Sequence, residues 1–549
     1  MILSKIRQID ATEDVQYIIV YSFLYKYCSD VLKNYLKSLI EDKSMTLDEA
    51  FKDEQFREIF KQESFRMFGF YIENPDCFID EVINTKYSNR FFIYEFLNVF
   101  CRNVEFKYSS NYEKYFTFIF EAFNQAVNFK KFEFVGESHL IVKEIIFSIA
   151  KLDVFEEAFP FQKVFDRVCQ SRLIRVEHDP DYITELISSI VSQNMKSPED
   201  VYNPFLNDAS LLINLSYHYN LPWRQTYAKS QDKMTYCCSI VKLLMNHFDL
   251  DGITSEYGSP FEPLEDTSAS FDVVMSRIPP ITARNIKRLN VSKSPEAIKK
   301  SKRKRVESML SSEFNIDAES FKNDVELNDA LENILSKIDI ESEAELRFSE
   351  EFQSLKDSEY LFLIDMINSL KDDGLMVVSM SQSFLIKNSL ALLRKYLTQE
   401  KNYIDAIISI PAELSRHSRS EIVMLFKKNK IADDIVFIDM STDYETRRAP
   451  YAVAGSFKGN LVLDGNTLVK VSDVYQKRQI IDKFSNVVKI SEIRDNEFNL
   501  SISRYVDTFE GEFINLRDLA YDRQKIEEKN KILSQKIEKM MKELDIDFK

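Results

Sequence analysis

The stretch Phe271-Asp-Val-Val-Met-Ser-Arg-Ile-Pro-Pro-Ile281 sets the first constraint on the fold. Phe271 to Met275 is an apolar run of strand length, and the chain then meets Pro279-Pro280. Proline cannot donate to a β-ladder and pushes the preceding residue into extended geometry. The chain therefore leaves a buried strand into a stiff loop at the strand's carboxyl end, the edge where open α/β sheets bind ligands. Similar runs lie on both sides: Asp200-Val-Tyr-Asn, Gln225-Thr-Tyr-Ala, the segment after Gly252-Ile-Thr-Ser, Gly374-Leu-Met-Val-Val-Ser-Met, Ile404–Ile410 and Ile422–Lys427. Between them Leu206–Leu215, Lys233–Phe248, Glu350–Leu370 and Leu385–Leu397 have helical periodicity. Such alternation predicts an α/β fold, a mainly parallel sheet with helices on both faces.

The flanks read differently. Residues 1–170 are expected to be an all-α N-terminal domain: Val15–Tyr25, Phe91–Phe100, Tyr115–Phe123 and Val142–Phe155 recur with helical spacing, and no catalytic constellation stands out. Near Pro180 the composition changes, and Asp179 reads as an N-cap with Pro180 in the first turn. Residues 171–430 form the predicted α/β domain, with a polar insert at 282–345. Residues 431–510 read as a small β-rich appendix, with Asp434-Ile-Val-Phe-Ile-Asp, Asn460-Leu-Val-Leu-Asp-Gly and Leu468-Val-Lys-Val as short strands. In 511–549, Leu516, Leu519, Ile526, Leu533, Ile537, Met540 and Leu544 fall on a heptad spacing, with Arg523 and Asn530 in the seam. That pattern predicts a C-terminal coiled-coil helix whose polar seam residues select register and partner.

Composition narrows the function. A chain of 549 residues exceeds one core. A net charge of −16 excludes nucleic-acid binding by bulk electrostatics, so phosphate contact needs a local basic patch. The strongest such run is Lys299-Lys300-Ser-Lys302-Arg303-Lys304-Arg305, in the insert that follows the strand ending at the Pro-Pro loop. It reads either as a solvated loop or as a DNA-phosphate contact. Only 9 glycines occur, far below the usual share of about 7%, which leaves few places for a backbone cradle around a nucleotide. The cysteines Cys28, Cys77, Cys101, Cys169, Cys237 and Cys238 form no CxxC pair, so neither a zinc site nor a disulfide framework is indicated. No secretory leader and no run of 18 apolar residues are present, so a cytoplasmic location without a membrane span is expected.

Several motifs in order carry a resemblance. Val201-Tyr-Asn-Pro-Phe-Leu-Asn-Asp-Ala-Ser-Leu-Leu-Ile is similar to V-x-D-P-x-x-G-S-G-x-L-L-I, and Phe271–Ile281 to F-D-x-x-x-x-N-P-P-[FY]. Asn496-Glu-Phe-Asn-Leu-Ser-Ile-Ser-Arg-Tyr-Val506 is similar to N-x-Y-N-L-N-x-S-R-Y-V, and Tyr403-Ile-Asp-Ala-Ile-Ile-Ser-Ile-Pro-Ala fits the same scheme. Together these resemble the modification (M) subunit of type I restriction–modification systems, N6-adenine DNA methyltransferases that use S-adenosylmethionine. The resemblance covers about residues 170–549 and implies a class I S-adenosylmethionine-dependent methyltransferase sheet. It also implies DNA and a specificity (S) subunit as partners, the latter through the C-terminal helix, with a restriction (R) subunit and a second M subunit as further ones.

In that family the motif's Asn and the adjacent carbonyl accept the adenine amino hydrogens, and the aromatic after Pro-Pro stacks on the flipped base. Here the catalytic positions are Ile278, Pro279, Pro280 and Ile281, so the amide and the aromatic ring are missing. The cofactor positions are equally altered: Asn203 before Pro204, Asn207 and Ala209 for the two glycines, Ser230 for the ribose-binding carboxylate and Ser259 for the acidic residue after the third strand. The upstream Phe-Tyr-Thr-Pro element reads Glu177-His178-Asp179-Pro180. Changes at ligand-facing positions on an intact core pattern predict an M-like subunit impaired in cofactor binding and catalysis. Two alternatives stay open: an active methyltransferase in which Asn203, Asp208 or Asp272 stands in, and a non-enzymatic scaffold of a defence complex.

Overall fold

The computed structural model describes residues 13–41, 45–88, 91–127, 137–157, 160–169, 174, 176–219, 225–230, 232–258, 270–278, 363, 366–414, 421–441, 443–448, 461–508 and 516–543. The first half is helical because its apolar residues repeat with a helical period: α1 (Glu13–Ser38), α2 (Leu47–Lys52), α3 (Glu54–Phe68), α4 (Ile79–Lys86), α5 (Phe92–Asn103), α6 (Asn111–Ala126), α7 (Glu137–Ala150) and α8 (Phe161–Cys169). Helix α1 is buried on nearly every side, with Ile18, Val20, Phe23 and Leu24 almost inaccessible, as expected of a helix at the centre of a bundle. Asp53 caps α3 by accepting from the amides of Gln55 and Phe56. The helix stops at Gly69, whose φ of +73° and close approach to the Tyr112 ring leave no room for a side chain. One departure from the all-helical expectation is a short antiparallel ribbon, β1 (Phe70–Ile72) with β2 (Val104–Phe106).

Helix α9 (Asp181–Asn194) leads into the sheet. Nine strands lie in the order β13-β10-β8-β9-β7-β6-β3-β4-β5. They are β3 (Asp200–Asn203), β4 (Gln225–Ser230), β5 (Ile253–Tyr257), β6 (Phe271–Arg277), β7 (Leu370–Ser381), β8 (Ile404–Ser409), β9 (Glu421–Phe426), β10 (Asp434–Ile438) and β13 (Ser485–Lys489). Only β9 and β13 run antiparallel to their neighbours, so the sheet is mainly parallel, as predicted. α10 (Ser210–Ser216) follows β3, and α11 (Lys233–Met245) follows β4. Side chains alternate between two apolar cores. Val201, Val273, Met275 and Val377 face a core shared with α1–α9, while Tyr202, Val274, Met376 and Val378 face the other. The first core runs unbroken across the expected boundary near residue 170.

The predicted appendix at 431–510 is corrected. Its strands β10 and β13 extend the central sheet, because their apolar residues pair in register with β8 and with each other. Only β11 (Thr446–Arg448) and β12 (Leu461–Leu463) form a separate ribbon. Leu468-Val-Lys-Val, expected as a strand, lies inside α12 (Gly465–Lys477), which Asp464 caps and which buries Val471, Val474 and Tyr475 on one face. The α7 helix ends at Ala150, short of the predicted Phe155. Residues 507–549 form a separate unit containing α13 (Leu516–Glu543). On it Ile526, Leu533 and Ile537 are exposed at heptad spacing. No helix among the described residues is long and apolar enough to cross a membrane.

Charge at the amino edge of the sheet ties neighbouring strands together. Asp272 accepts from the amides of Glu199 (2.8 Å) and Asp200 (2.9 Å), and Lys371 bridges Asp272 (2.7 Å) to Asp200 (2.6 Å). Three neighbouring strands are thereby stapled at their starts. A Cβ on Gly374 would meet the carbonyl oxygens of Phe271 (2.9 Å) and Asp272 (3.0 Å), so the bulge that admits Lys371 needs a glycine.

Candidate functional site

The opposite, carboxyl edge gathers the residues that the sequence singled out. Asn203 ends β3 in complete burial, and neither its amide oxygen nor its nitrogen has a hydrogen-bond partner. Pro204 follows in the turn, also buried. The chain then passes through two left-handed residues, Asn207 (φ +46°) and Ala209 (φ +63°). These are the positions at which the resemblance expects glycines. Here the left-handed backbone is adopted without glycine, at about 1 kcal/mol for the alanine and less for the asparagine. Both side chains are buried, and Ala209 stands as N-cap of α10 without a capping side chain.

Asp208, between them, is the hub. Its carboxylate accepts from Ser210 N (3.2 Å), Ser210 Oγ (2.8 Å), Asp179 N (3.3 Å) and Lys242 Nζ (3.0 Å), and lies 2.6 Å from His178 Nδ1. Lys242 also pairs with Asp166 of α8 at 3.0 Å. Burial opposes ionisation of Asp208, yet Lys242 and His178 hold its carboxyl far below the usual range. Burial likewise opposes the charges on Lys242 and His178, and their carboxylate neighbours more than offset it, so both are raised.

Asp179 is the exception. It is not an N-cap: Pro180 occupies that place, no side chain caps the helix, and α9 starts at Asp181. Its carboxylate turns inward, where Oδ1 accepts from Asn207 Nδ2 (2.7 Å) and Oδ2 has no partner. Burial first, and Asp208 second, push its carboxyl up to about 7. Arg277, the last residue of β6, donates to the His178 carbonyl (3.3 Å) and pairs with Glu421 of β9 (2.6 Å). Asn207 Nδ2 also donates to the Arg277 carbonyl at 3.3 Å.

Ile278 follows Arg277. Only 4% of it is exposed, and its side chain packs into the second apolar core while its amide donates to the Ser379 carbonyl (2.9 Å). Ser230 ends β4, buried, with its carbonyl accepting from Gly258 N (2.9 Å) and its hydroxyl donating to the Asp232 carbonyl (3.4 Å). The edge thus brings Asn203, Pro204, Asn207, Ala209, Ser230 and Ile278 to the ends of three adjacent strands and the loop after β3. Ser259, Pro279, Pro280, Ile281 and the basic run Lys299, Lys300, Lys302, Arg303, Lys304 and Arg305 lie outside the described residues. Asp272, a candidate stand-in, is excluded from this edge because it is the amino-edge staple. Sequence reasoning missed Lys242, Asp166 and Glu421. A signal existed for the first: Lys242 is the only charge in the apolar run Met234–Met245. Glu421 had none, since its partner comes from a strand 144 residues away.

S-adenosylmethionine is the cofactor that the resemblance implies for this edge. Asn207 and Ala209 place Cβ atoms where close backbone approach is required. Ser230 offers no carboxylate for ribose hydroxyls, and the Asp208 carboxylate is saturated by the chain's own donors. The described residues do not fit that cofactor as the resemblance would hold it. No group of described residues has the make-up of a metal site.

Comparison with known proteins agrees with the fold. Residues 332–513 match the N-6 DNA Methylase family. The chain is 36% identical over 137 residues to the type I restriction enzyme MjaVII methylase subunit of Methanocaldococcus jannaschii, covering 24% of this chain and 22% of the relative. It is 28% identical over 159 residues to the MpnII methylase subunit of Mycoplasma pneumoniae, covering 28% and 27%. The matches therefore span about a quarter of the curated relatives' own length. The type I restriction-modification methyltransferase subunit from Streptococcus thermophilus superposes with a TM-score of 0.65 over 92% of this chain and 97% of that one, at 18% identity, which shows a common fold. Over these stretches the chain is similar to the N-6 DNA Methylase family and to type I restriction enzyme methylase subunits, and it shares the fold of a type I restriction-modification methyltransferase subunit.

Proposed function

We propose that the chain acts as an M-type subunit in a type I-like restriction–modification assembly, with its own methyl-transfer chemistry impaired. The observation that carries this reading is Ile278. It holds the position of the amide that would accept the adenine amino hydrogens, and its side chain is sealed in an apolar core, where it accepts nothing. The misfit of Asn207, Ala209 and Ser230 with S-adenosylmethionine supports it. In this reading α13 binds a specificity subunit through Ile526, Leu533 and Ile537, as exposed apolar residues at heptad spacing favour a partner helix. Lys299 to Arg305 contact DNA phosphates, a restriction subunit and a second M subunit complete the assembly, and the protein works in the cytoplasm.

The test is calorimetric titration of the full chain with S-adenosylmethionine, alongside methyl transfer to adenine-containing duplex DNA. Absence of binding up to millimolar cofactor is expected; micromolar binding would sink the impaired reading. One observation favours the active alternative: Asn203 keeps a fully buried, unpartnered amide at the sheet edge. Were it a cofactor contact, Asn203→Ala would abolish whatever binding the titration detects. DNA retention by the chain with its specificity subunit should fall with salt and be lost on neutralising Lys299, Lys300, Lys302, Arg303, Lys304 and Arg305. Unchanged retention would make that run a solvated loop.

A further inference from the structure

The segment Glu177–Asp179 is fastened from several sides. From α11, Thr235 Oγ1 accepts the Glu177 amide (3.3 Å). From the loop after β3, Asp208 takes the His178 ring (2.6 Å) and the Asp179 amide (3.3 Å). From the same loop Asn207 binds the Asp179 carboxylate (2.7 Å). At the end of β6, Arg277 donates to the His178 carbonyl (3.3 Å), and Glu421 of β9 holds that arginine in place. Behind Asp208, Lys242 of α11 and Asp166 of α8 complete a buried chain of alternating charge.

Five contacts from α11, β6 and the β3–α10 loop on three residues are more than an ordinary connection into α9 requires. Loops at binding edges carry a small number of polar groups placed for the ligand. Here several of the groups at the edge have been taken up by the chain itself, while the Asn203 amide and Asp179 Oδ2 have no hydrogen-bond partner. Asn207 Nδ2, Lys242 Nζ and the terminal guanidinium nitrogens of Arg277 end on Asp179, Asp208, Asp166, Ser210, Glu421 or a backbone carbonyl, while Arg277 Nε has no hydrogen-bond partner.

We propose that Glu177–Asp179 is a strap locked across the carboxyl ends of β3 and β6, an autoinhibitory contact that closes this edge from within. It rests on the impaired reading above and deepens it: the segment that stands in place of the Phe-Tyr-Thr-Pro element is bound down onto the edge by the chain's own groups. The strap is electrostatic, so it opens as a unit when one of its anchors is removed, while α9 and the sheet beneath it stay folded.

Amide hydrogen exchange on the full chain tests this without any ligand. In the wild type, the peptide spanning residues 176–180 should exchange as slowly as β3 and α9. Arg277→Leu with Glu421→Leu replaces one buried ion pair by apolar groups, and Asn207→Ala removes the clamp on Asp179 with minimal disturbance of the fold. Each should speed exchange at 176–180 by about tenfold or more, with β3 and α9 unchanged. Fast exchange of the strap in the wild type overturns the proposal, and so does undiminished protection in both variants. The same samples titrated with S-adenosylmethionine keep the two ideas apart. Micromolar binding by the wild type overturns the impaired reading, whereas the exchange rates alone decide the strap.

Discussion

At the amino edge of the sheet, Asp272 accepts two backbone amides and a lysine, and Asp405 is bound by Tyr475 (2.6 Å) and Arg478 (2.8 Å). At the carboxyl edge, Asn203 is unpartnered, one oxygen of Asp179 is unpartnered, and the chain is forced through two left-handed residues. Both edges are rich in charge, but they use it differently. The amino edge is organised as a stability device: every carboxylate named has a donor, and the net effect on Asp272, Asp405 and Asp434 is to hold the carboxyl below its usual range despite burial. The carboxyl edge keeps strained and unsatisfied groups of the kind that cluster at ligand-binding sites.

The largest way to break this contrast is Lys242→Met. It leaves Asp166 and Asp208 facing each other in the interior, and a loss of about 3–5 kcal/mol in denaturant unfolding is expected. Lys371→Met at the amino edge should cost only about 1–2 kcal/mol, because the lysine side chain is 26% exposed and the backbone amides still satisfy Asp272. Equal losses would mean that the edges do not differ in this respect.

The second test is pH. Asp179 and His178 have raised folded values, so each binds its proton more tightly in the folded state. Their contribution is present below the unfolded value and is lost as pH rises through the folded one, near 7 for Asp179. Asp272, Asp405 and Asp434 have lowered values, and their contribution is lost as pH falls below the ordinary carboxylate range. Stability should therefore decline from pH 6 to pH 8.5 by on the order of 2 kcal/mol, and Asp179→Asn should flatten that slope. A slope that survives the substitution would assign it to other groups.

The smallest effects sharpen the comparison within one loop. Ala209→Gly should stabilise by about 0.5–1 kcal/mol, since the alanine makes no polar contact and its φ favours glycine. Asn207→Gly should destabilise by about 1–2 kcal/mol, because relief of the backbone is outweighed by loss of the bonds to Asp179 and the Arg277 carbonyl. Thermal melts of the two variants moving in the same direction would refute the assignment of Asn207 as a clamp.

Much of the fold was legible. Period-two and period-3.6 patterns located the strands from β3 to β10 and the helices α1, α5, α6 and α11, because burial on fixed faces writes itself into local order. The pattern failed where tertiary packing overruled a short run. Leu468-Val-Lys-Val is apolar enough for a strand, but the capping Asp464 and the contacts of Val471 and Val474 make it helix. Strands β10 and β13 were assigned to an appendix because pairing partners distant in sequence leave no local mark.

The candidate site divides along the same line. By itself the sequence carried the resemblance and the expectation that an amide, an aromatic ring, two glycines and a carboxylate are missing from its motif positions, since residue identity needs no coordinates. Tertiary structure decided what replaced them. It showed that Asn207 and Ala209 retain the left-handed backbone, that Asp179 turns inward instead of capping α9, and that Arg277 reaches Glu421 across the sheet. Those facts depend on which distant side chains share a low-dielectric interior, where a charge must find its counter-charge, and no spacing in the chain encodes that meeting.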